Sequence, residues 1–236
     1  MAGNSADRDT ATAALPAPAA GVMLWWCALA APAARVRVLE GWLSAAEIDR
    51  ADRFGTAALR ERYIVGRASL RGILGALLAM APPEVPIVRG ERGRPQLGVA
   101  SALDFNVSHT AGVALIGATR GARIGVDVER LDREINVGGI ARKFLTGTER
   151  RALADLDADS ARRRVLRLWT CKEAMSKATG DALSAPFGSL DVALDVALDD
   201  APRLCAGPVP YEPSRWTLHT AAVPAAFVAT VALWQR

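Results

Sequence analysis

Two carboxylates stand two residues apart in "GVDVER", Gly125 to Arg130. The stretch reads as a strand, so Asp127 and Glu129 point to one face and repel unless something positive lies between them. Further on, in "LWTCKEAMSKATG", Trp169, Glu173 and Lys177 follow at i, i+4 and i+8 and share one helical face. Taken alone, Glu173 and Lys177 read as an ordinary helix salt bridge, and the Asp-x-Glu pair as a solvated strand end. Taken together, two strand carboxylates and one helix carboxylate make three hard oxygen ligands. Such a set selects Mg²⁺, which keeps room for water and for a diphosphate.

A second cluster lies in "FNVSHT", Phe105 to Thr110. Ser108 and His109, one of only two histidines, sit beside a turn. They read either as surface polarity or as a grip on a phosphate. A serine-hydrolase reading needs Gly-x-Ser-x-Gly, and none surrounds Ser108. The chain has 29 basic residues, of which only Lys143, Lys172 and Lys177 are lysines. A formal charge of +4 and a pI near 9.3 suit an acidic partner or a phosphate ligand. With no long basic block and no basic–aromatic interleaving, nucleic acid is not expected.

The elements that must position these residues are legible in outline. "GVMLWWCAL" reads as a buried strand, and "LSAAEIDRADRF" as a helix with a capping box from Ser44 to Glu47. "LRERYIVGRASLRGILGALLAM" is a longer amphipathic helix stopped by Pro82 and Pro83. "PIVRGERGRPQL" reads as a hairpin or a ligand loop. "FNVSHTAGVALIGATRGARIGVDVER" reads as two strands hairpinned around "TRGA". "GGIARKFL" and "GTERRALADL" follow as helices, the second opened by Thr146 and Glu149. "ARRRVLRLWTCKEAMSKATG" is a long helix ended by Gly180. "SLDVALDVAL", "WTLHTAAV" and "AAFVATVALW" are strand-like. The expectation is an α+β fold of two similar α/β subdomains in pseudo-two-fold arrangement, residues 21–119 and 120–236.

Residues 1–20 are Ala-rich and expected to be a disordered tail whose removal changes neither stability nor activity. The start lacks the basic flank of a signal peptide, and no convincing membrane helix appears. The three cysteines, Cys27, Cys171 and Cys205, form no Cys-x-x-Cys pair. They suit a soluble protein in the reducing cytoplasm.

"GRP" at Gly93, "FNVSHT", "GVDVE" and "WTCKEAMSK", in this order and spacing, resemble the 4′-phosphopantetheinyl transferases. The resemblance is to their larger, monomeric, surfactin-synthetase-activating type, which serves polyketide and nonribosomal peptide synthetases, and it covers about Val22 to Val231. It implies transfer of the phosphopantetheine arm of coenzyme A onto a serine of an acyl or peptidyl carrier protein, with release of 3′,5′-ADP. It further implies that Asp127, Glu129 and Glu173 hold Mg²⁺ on the diphosphate, that Glu173 also helps deprotonate the serine, and that Lys177 acts at the diphosphate. Arg94 stands where the family often has lysine. It, Ser108, His109 and Arg62 resemble the binders of the coenzyme A phosphates, and Arg50 follows with a one-residue gap. Carriers of this class are commonly acidic around their serine. The run Arg162, Arg163, Arg164 and Arg167 is expected to offer them a basic stripe.

Overall fold

Alternation decides the centre of this molecule. In Leu103–Thr110 (strand β5), Leu103 and Phe105 are buried on one face, while Asp104, Asn106 and Ser108 carry polar groups on the other. The computed structural model describes residues 12–90, 92–110, 112–194 and 201–235. Its first sheet has the order β1-β2-β6-β5, built from Thr12–Leu15, Val22–Ala28, Val113–Arg120 and β5, all antiparallel. The second has the order β10-β11-β7, from Trp216–Thr220, Phe227–Trp234 and Arg123–Arg130. Two small hairpins complete the strands: Ile87–Arg89 with Pro95–Leu97 (β3, β4), and Asp191–Ala193 with Arg203–Ala206 (β8, β9). The helices are α1 (Ala33–Glu40), α2 (Ala45–Ala51), α3 (Ala57–Leu78), α4 (Val137–Phe144), α5 (Gly147–Arg151) and α6 (Ala158–Thr179). The class is α+β. No helix among the described residues is long and apolar enough to cross a membrane.

Local signals set most boundaries. Ser44 and Glu47 form a reciprocal capping box on α2, and Thr146 and Glu149 another on α5. Asp157 caps α6 through the amides of Asp159 and Ser160, and Gly180 ends it at φ +88°.

Two expectations are corrected. "TRGA" is not a hairpin within one sheet: β6 pairs with β2 and β5, whereas β7 pairs with β11. β7 packs over the face of β6 instead of beside it, and Gly117 of β6 leaves the room: a Cβ there would lie 2.6 Å from Val126 of β7 and 3.0 Å from Ile124. The Ala-rich start is not wholly a tail either. Thr12–Leu15 forms an edge strand in register with Leu24–Cys27, and Leu15 packs on a buried cluster with Val22 and Leu24. Residues 1–11, and the 195–198 part of "SLDVALDVAL", lie outside the described residues.

The long helix α6 is buried along most of its length, with Val165, Leu168, Cys171, Met175 and Ala178 in one cluster with Phe187 and Tyr211. It lies on β7 at backbone distance. A Cβ on Gly125 would sit 1.8 Å from the Ala174 carbonyl oxygen and 2.7 Å from the Ala178 nitrogen. Only glycine lets the helix come this close, and the closeness sets Glu173 and Lys177 over Asp127.

Two measurements check this packing. Gly125→Ala is expected to cost ~3 kcal/mol or more in chemical denaturation, since backbone must move to admit the methyl group. Removing residues 1–20 is expected to lower stability by roughly 1–2 kcal/mol, because cross-strand pairs contribute about 0.2–1 kcal/mol each. An unchanged melting temperature would show that β1 adds nothing.

Candidate active site

The site begins where the edge strands of the two sheets meet. The β7 amides of Ile124, Val126 and Val128 donate to Asp104 Oδ2 (2.8 Å), Asn106 Oδ1 (3.0 Å) and Ser108 Oγ (3.3 Å) on β5. Both series ascend together, so the two edge strands run in the same direction, joined by side chains instead of a backbone ladder. Asp127 and Glu129 then fall beside Ser108 and Thr110. Ser108 donates to Asp127 Oδ1 at 2.8 Å, and Thr110 donates to Glu129 Oε2 at 3.4 Å.

Helix α6 supplies the other wall. Lys177 Nζ donates to Asp127 Oδ1 at 2.6 Å and to Ser108 Oγ at 2.9 Å. Arg133 pairs with Glu129. Asp127 Oδ2 and Glu173 Oε1 are buried and have no hydrogen-bond partner. Asp127, Glu129 and Glu173 line one pocket of about 460 Å³ with Ser108, Lys177 and Trp169. All three carboxyls are held above their ordinary range, each chiefly by burial. Lys177 opposes the rise at Asp127, whereas the charge of Asp127 adds to it at Glu129 and Glu173. Among the described residues no group of three or more His, Cys, Asp or Glu side chains is arranged, as the side chains stand, to hold a metal ion. The donor set nevertheless fits a hard divalent cation, because two orphaned carboxylate oxygens and a third carboxylate share one pocket.

Next to it lies a cavity of about 390 Å³ lined by Arg50, Arg62, Tyr63, Arg67, Arg89 and His109, among others. The expected phosphate residues Arg50, Arg62 and His109 are therefore brought together, and Arg50 stacks over Tyr63 with 5.7 Å to the ring centroid. Gly66 brings α3 close to His109: a Cβ there would lie 3.6 Å from the imidazole Nε2. His109 is held below its ordinary pKa first by the desolvating cleft walls, then by the charges of Lys177 and Arg67.

Two other expected phosphate residues are engaged elsewhere. The Ser108 hydroxyl is used by Val128, Lys177 and Asp127. Arg94 does not line the arginine cavity; its side chain is buried on Asp104 and on backbone carbonyls. The basic stripe on α6 is also largely spent. Arg162 and Arg163 pair with Asp159, Arg164 donates to the Leu194 carbonyl at 2.9 Å, and Arg167 is buried.

Residues that the sequence motifs passed over complete the walls. Lys172 is fully buried and donates to Glu149 and to the carbonyls of Phe144 and Phe187. It thus fixes the segments that carry the Phe144–Trp169–Phe187 ring cluster. Its rarity as one of three lysines was the available signal. Tyr63 and Arg67 sit i, i+4 on α3 and present one face to the arginine cavity.

The histidine offers a test. Between its depressed folded pKa and the ordinary 6.5 of the unfolded chain, the unfolded state binds more protons. Its contribution to stability is therefore full above about pH 6.5 and is lost as pH falls through the folded value. NMR titration of ligand-free protein should place His109 below 6.5, and 3′,5′-ADP should raise it. A midpoint at or above 6.5 without ligand would show that the cleft does not desolvate the ring.

The chain as a whole is similar to known proteins. A sequence model described as the 4′-phosphopantetheinyl transferase superfamily matches residues 123–232, which span β7 through α6 to β11. The 4′-phosphopantetheinyl transferase HetI of Nostoc sp. (strain PCC 7120) is 36% identical over 176 residues, 73% of this chain and 74% of that one. The 4′-phosphopantetheinyl transferase psf-1 of Bacillus pumilus is 26% identical over 160 residues, 68% of this chain and 67% of that one. A crystal structure of a holo-(acyl-carrier-protein) synthase from Bacillus anthracis, in complex with CoA (3′,5′-ADP), superposes with a TM-score of 0.39 at 22% identity, covering 48% of this chain and 95% of its own. With more than a third of residues identical to HetI along most of both chains, the chain belongs to the 4′-phosphopantetheinyl transferase superfamily and is an enzyme of phosphopantetheine transfer.

Proposed function

We propose that this enzyme takes the 4′-phosphopantetheine arm from coenzyme A and attaches it to a serine of an apo acyl or peptidyl carrier protein, releasing 3′,5′-ADP, in a Mg²⁺-dependent reaction. The observation that carries the reading is the pair of buried, unpartnered oxygens, Asp127 Oδ2 and Glu173 Oε1, in a pocket beside an arginine-lined cavity. Asp127, Glu129 and Glu173 would hold the ion. Bound there, it would neutralise the diphosphate and the charge developing on the leaving group.

The remaining work falls to the chain's own residues. Lys177 and Ser108 hold Asp127 by Oδ1 and leave Oδ2 for coordination. Arg50, Arg62 and His109 bind the phosphate at the nucleotide end, far from the bond that breaks. Glu173, kept more basic than an ordinary carboxylate by burial and by its acidic neighbours, accepts the proton of the carrier serine. The serine oxygen bonds to the phosphorus that carries the pantetheine, and the bond from that phosphorus to 3′,5′-ADP breaks. Its electron pair leaves on the departing phosphate. No nucleophile is required of this chain, because the partner brings it.

In this reading residues 21–119 form the subdomain that supplies the nucleotide cavity, and residues 120–236 the one that supplies the carboxylates. The enzyme works as a monomer in the cytoplasm, where its free cysteines Cys27, Cys171 and Cys205 suit a reducing environment.

Intact-mass spectrometry of apo carrier proteins after incubation with coenzyme A and Mg²⁺ should show the gain of one phosphopantetheine. Chelation should abolish it. Asp127→Ala should lower turnover at least about 100-fold, the upper end of what even the outer partners of a metal-ligand set contribute. Its melting temperature should hold or rise, since burying the charged carboxyl costs more than Lys177 and Ser108 return. Near-normal rates for Asp127→Ala in saturating Mg²⁺ would sink the metal assignment.

A further inference from the structure

Arg94 occupies the position that the motif pattern gives to a phosphate-binding cation, yet its geometry describes a different task. The residue is only 8% exposed. Nε donates to the Lys177 carbonyl at 2.8 Å. Nη1 and Nη2 grip the two oxygens of Asp104 at 3.0 and 2.7 Å, the bidentate fork that suits guanidinium to carboxylate. Nη2 also donates to the carbonyls of Ile124 (2.7 Å) and Phe105 (3.1 Å), and Nη1 lies 3.5 Å from the carbonyl of Pro95. A guanidinium has five N–H donors, and each of its nitrogens here faces protein oxygens. Asp104 neutralises its charge. Four of the five N–H groups are committed at 2.7–3.1 Å and the fifth lies 3.5 Å from the Pro95 carbonyl, which leaves little to offer a phosphate.

The acceptors lie on the elements that build the site. Lys177 is in the last turn of α6, and its side chain holds Asp127. Asp104 and Phe105 belong to β5, and Ile124 to β7, at the first rung of the row that ends with Ser108 beside Asp127. Arg94 itself precedes β4 in the small hairpin.

We propose that Arg94 is a positioning residue. It ties the end of α6 to the edges of both sheets, so that Lys177, Ser108 and Asp127 are held in one arrangement, and it does not contact coenzyme A. The inference rests on the transferase reading given above. It predicts that lysine cannot replace it: a single ammonium, with three donors on one atom, cannot reach acceptors on α6, β5 and β7 together. A phosphate-binding arginine, by contrast, would show the same change as a loss of coenzyme A affinity.

Steady-state kinetics and calorimetry on Arg94→Lys and Asp104→Asn separate the two roles. Arg94→Lys is expected to lower kcat about tenfold or more, because small misplacements of reacting groups carry losses of that order. KM and Kd for coenzyme A should stay within about threefold, the pattern of an interaction that matters in the transition state and not in ground-state binding. Asp104→Asn, which keeps the shape and removes the charge of the clamp, should lose kcat similarly. The double variant should lose little more. Calorimetric stoichiometry counts the folded fraction, so a kcat loss is not mistaken for lost protein. A tenfold weaker Kd for coenzyme A in Arg94→Lys, an Arg94→Lys enzyme with wild-type kcat, or Asp104→Asn with wild-type kcat would each overturn the proposal. Wild-type protein that binds coenzyme A but modifies no carrier would overturn the transferase reading, while the Kd comparison would still decide Arg94's contact with coenzyme A. Wild-type protein that bound no coenzyme A would overturn both.

Discussion

Three amides of one strand donate to three side chains of another, and the catalytic geometry hangs on that row. The rungs Ile124–Asp104, Val126–Asn106 and Val128–Ser108 join the edges of two sheets that share no backbone ladder. An exposed strand edge invites aggregation, and covering each edge with the other removes that hazard. The β7 amides on this side would otherwise be buried without acceptors, at a cost of about 1–3 kcal/mol each. Because side chains on β5 repeat every second residue, the register is fixed at each rung. A slip of one residue would turn Leu103, Phe105 and Val107 toward β7 and strand the amides. Asp127 lies between the second and third rungs' donors, so its place beside Ser108 follows from the same register.

Electrostatics sets this seam apart from a merely cohesive one. Three carboxyls are gathered where solvent is scarce, and each is pushed toward its protonated form. Lys177 and Arg133 relieve part of the repulsion but leave one oxygen of Asp127 and one of Glu173 without a partner. Buried polar atoms are seldom left so. The strain of that arrangement is what a divalent cation and a diphosphate would relieve together. The close contact at Gly125 sustains it by holding α6 against β7.

In a chain this rich in arginine, position in space separates the cations engaged by protein groups from those that line an open cavity. Arg71 is buried on Glu47 and on the carbonyls of Pro82, Pro83 and Val85, and so locks α2 and α3 to the turn beyond. Arg94 is spent on Asp104, and Arg162 and Arg163 on Asp159. Arg50 and Arg62, exposed around the nucleotide-sized cavity, keep their charge available. Charge counts alone give these residues equal weight.

The sequence by itself determined what depends on near neighbours. The capping boxes at Ser44 and Thr146, the stop at Gly180, the alternation of β5, the shared face of Asp127 and Glu129, and the spacing of Glu173 and Lys177 are all written within a few residues. The four motifs in order made the family legible as well. Tertiary structure alone decided the rest, because it depends on contacts between residues far apart in the chain. That β7 leaves the sheet of β6 is allowed by Gly117, which leaves room for Val126. The strand formed by Thr12–Leu15 depends on a free edge of β2, which no property of an Ala-rich segment announces. The turn of Lys177 toward Asp127, and the engagement of Arg94 and Ser108 by protein groups, were set by partners such as Asp104, Asp127 and the Lys177 carbonyl, 10 to 83 residues distant in the chain. A hydrogen-bond donor's partner is chosen by the packing that surrounds it, and one-dimensional spacing carries that information only within a helix turn or along a strand.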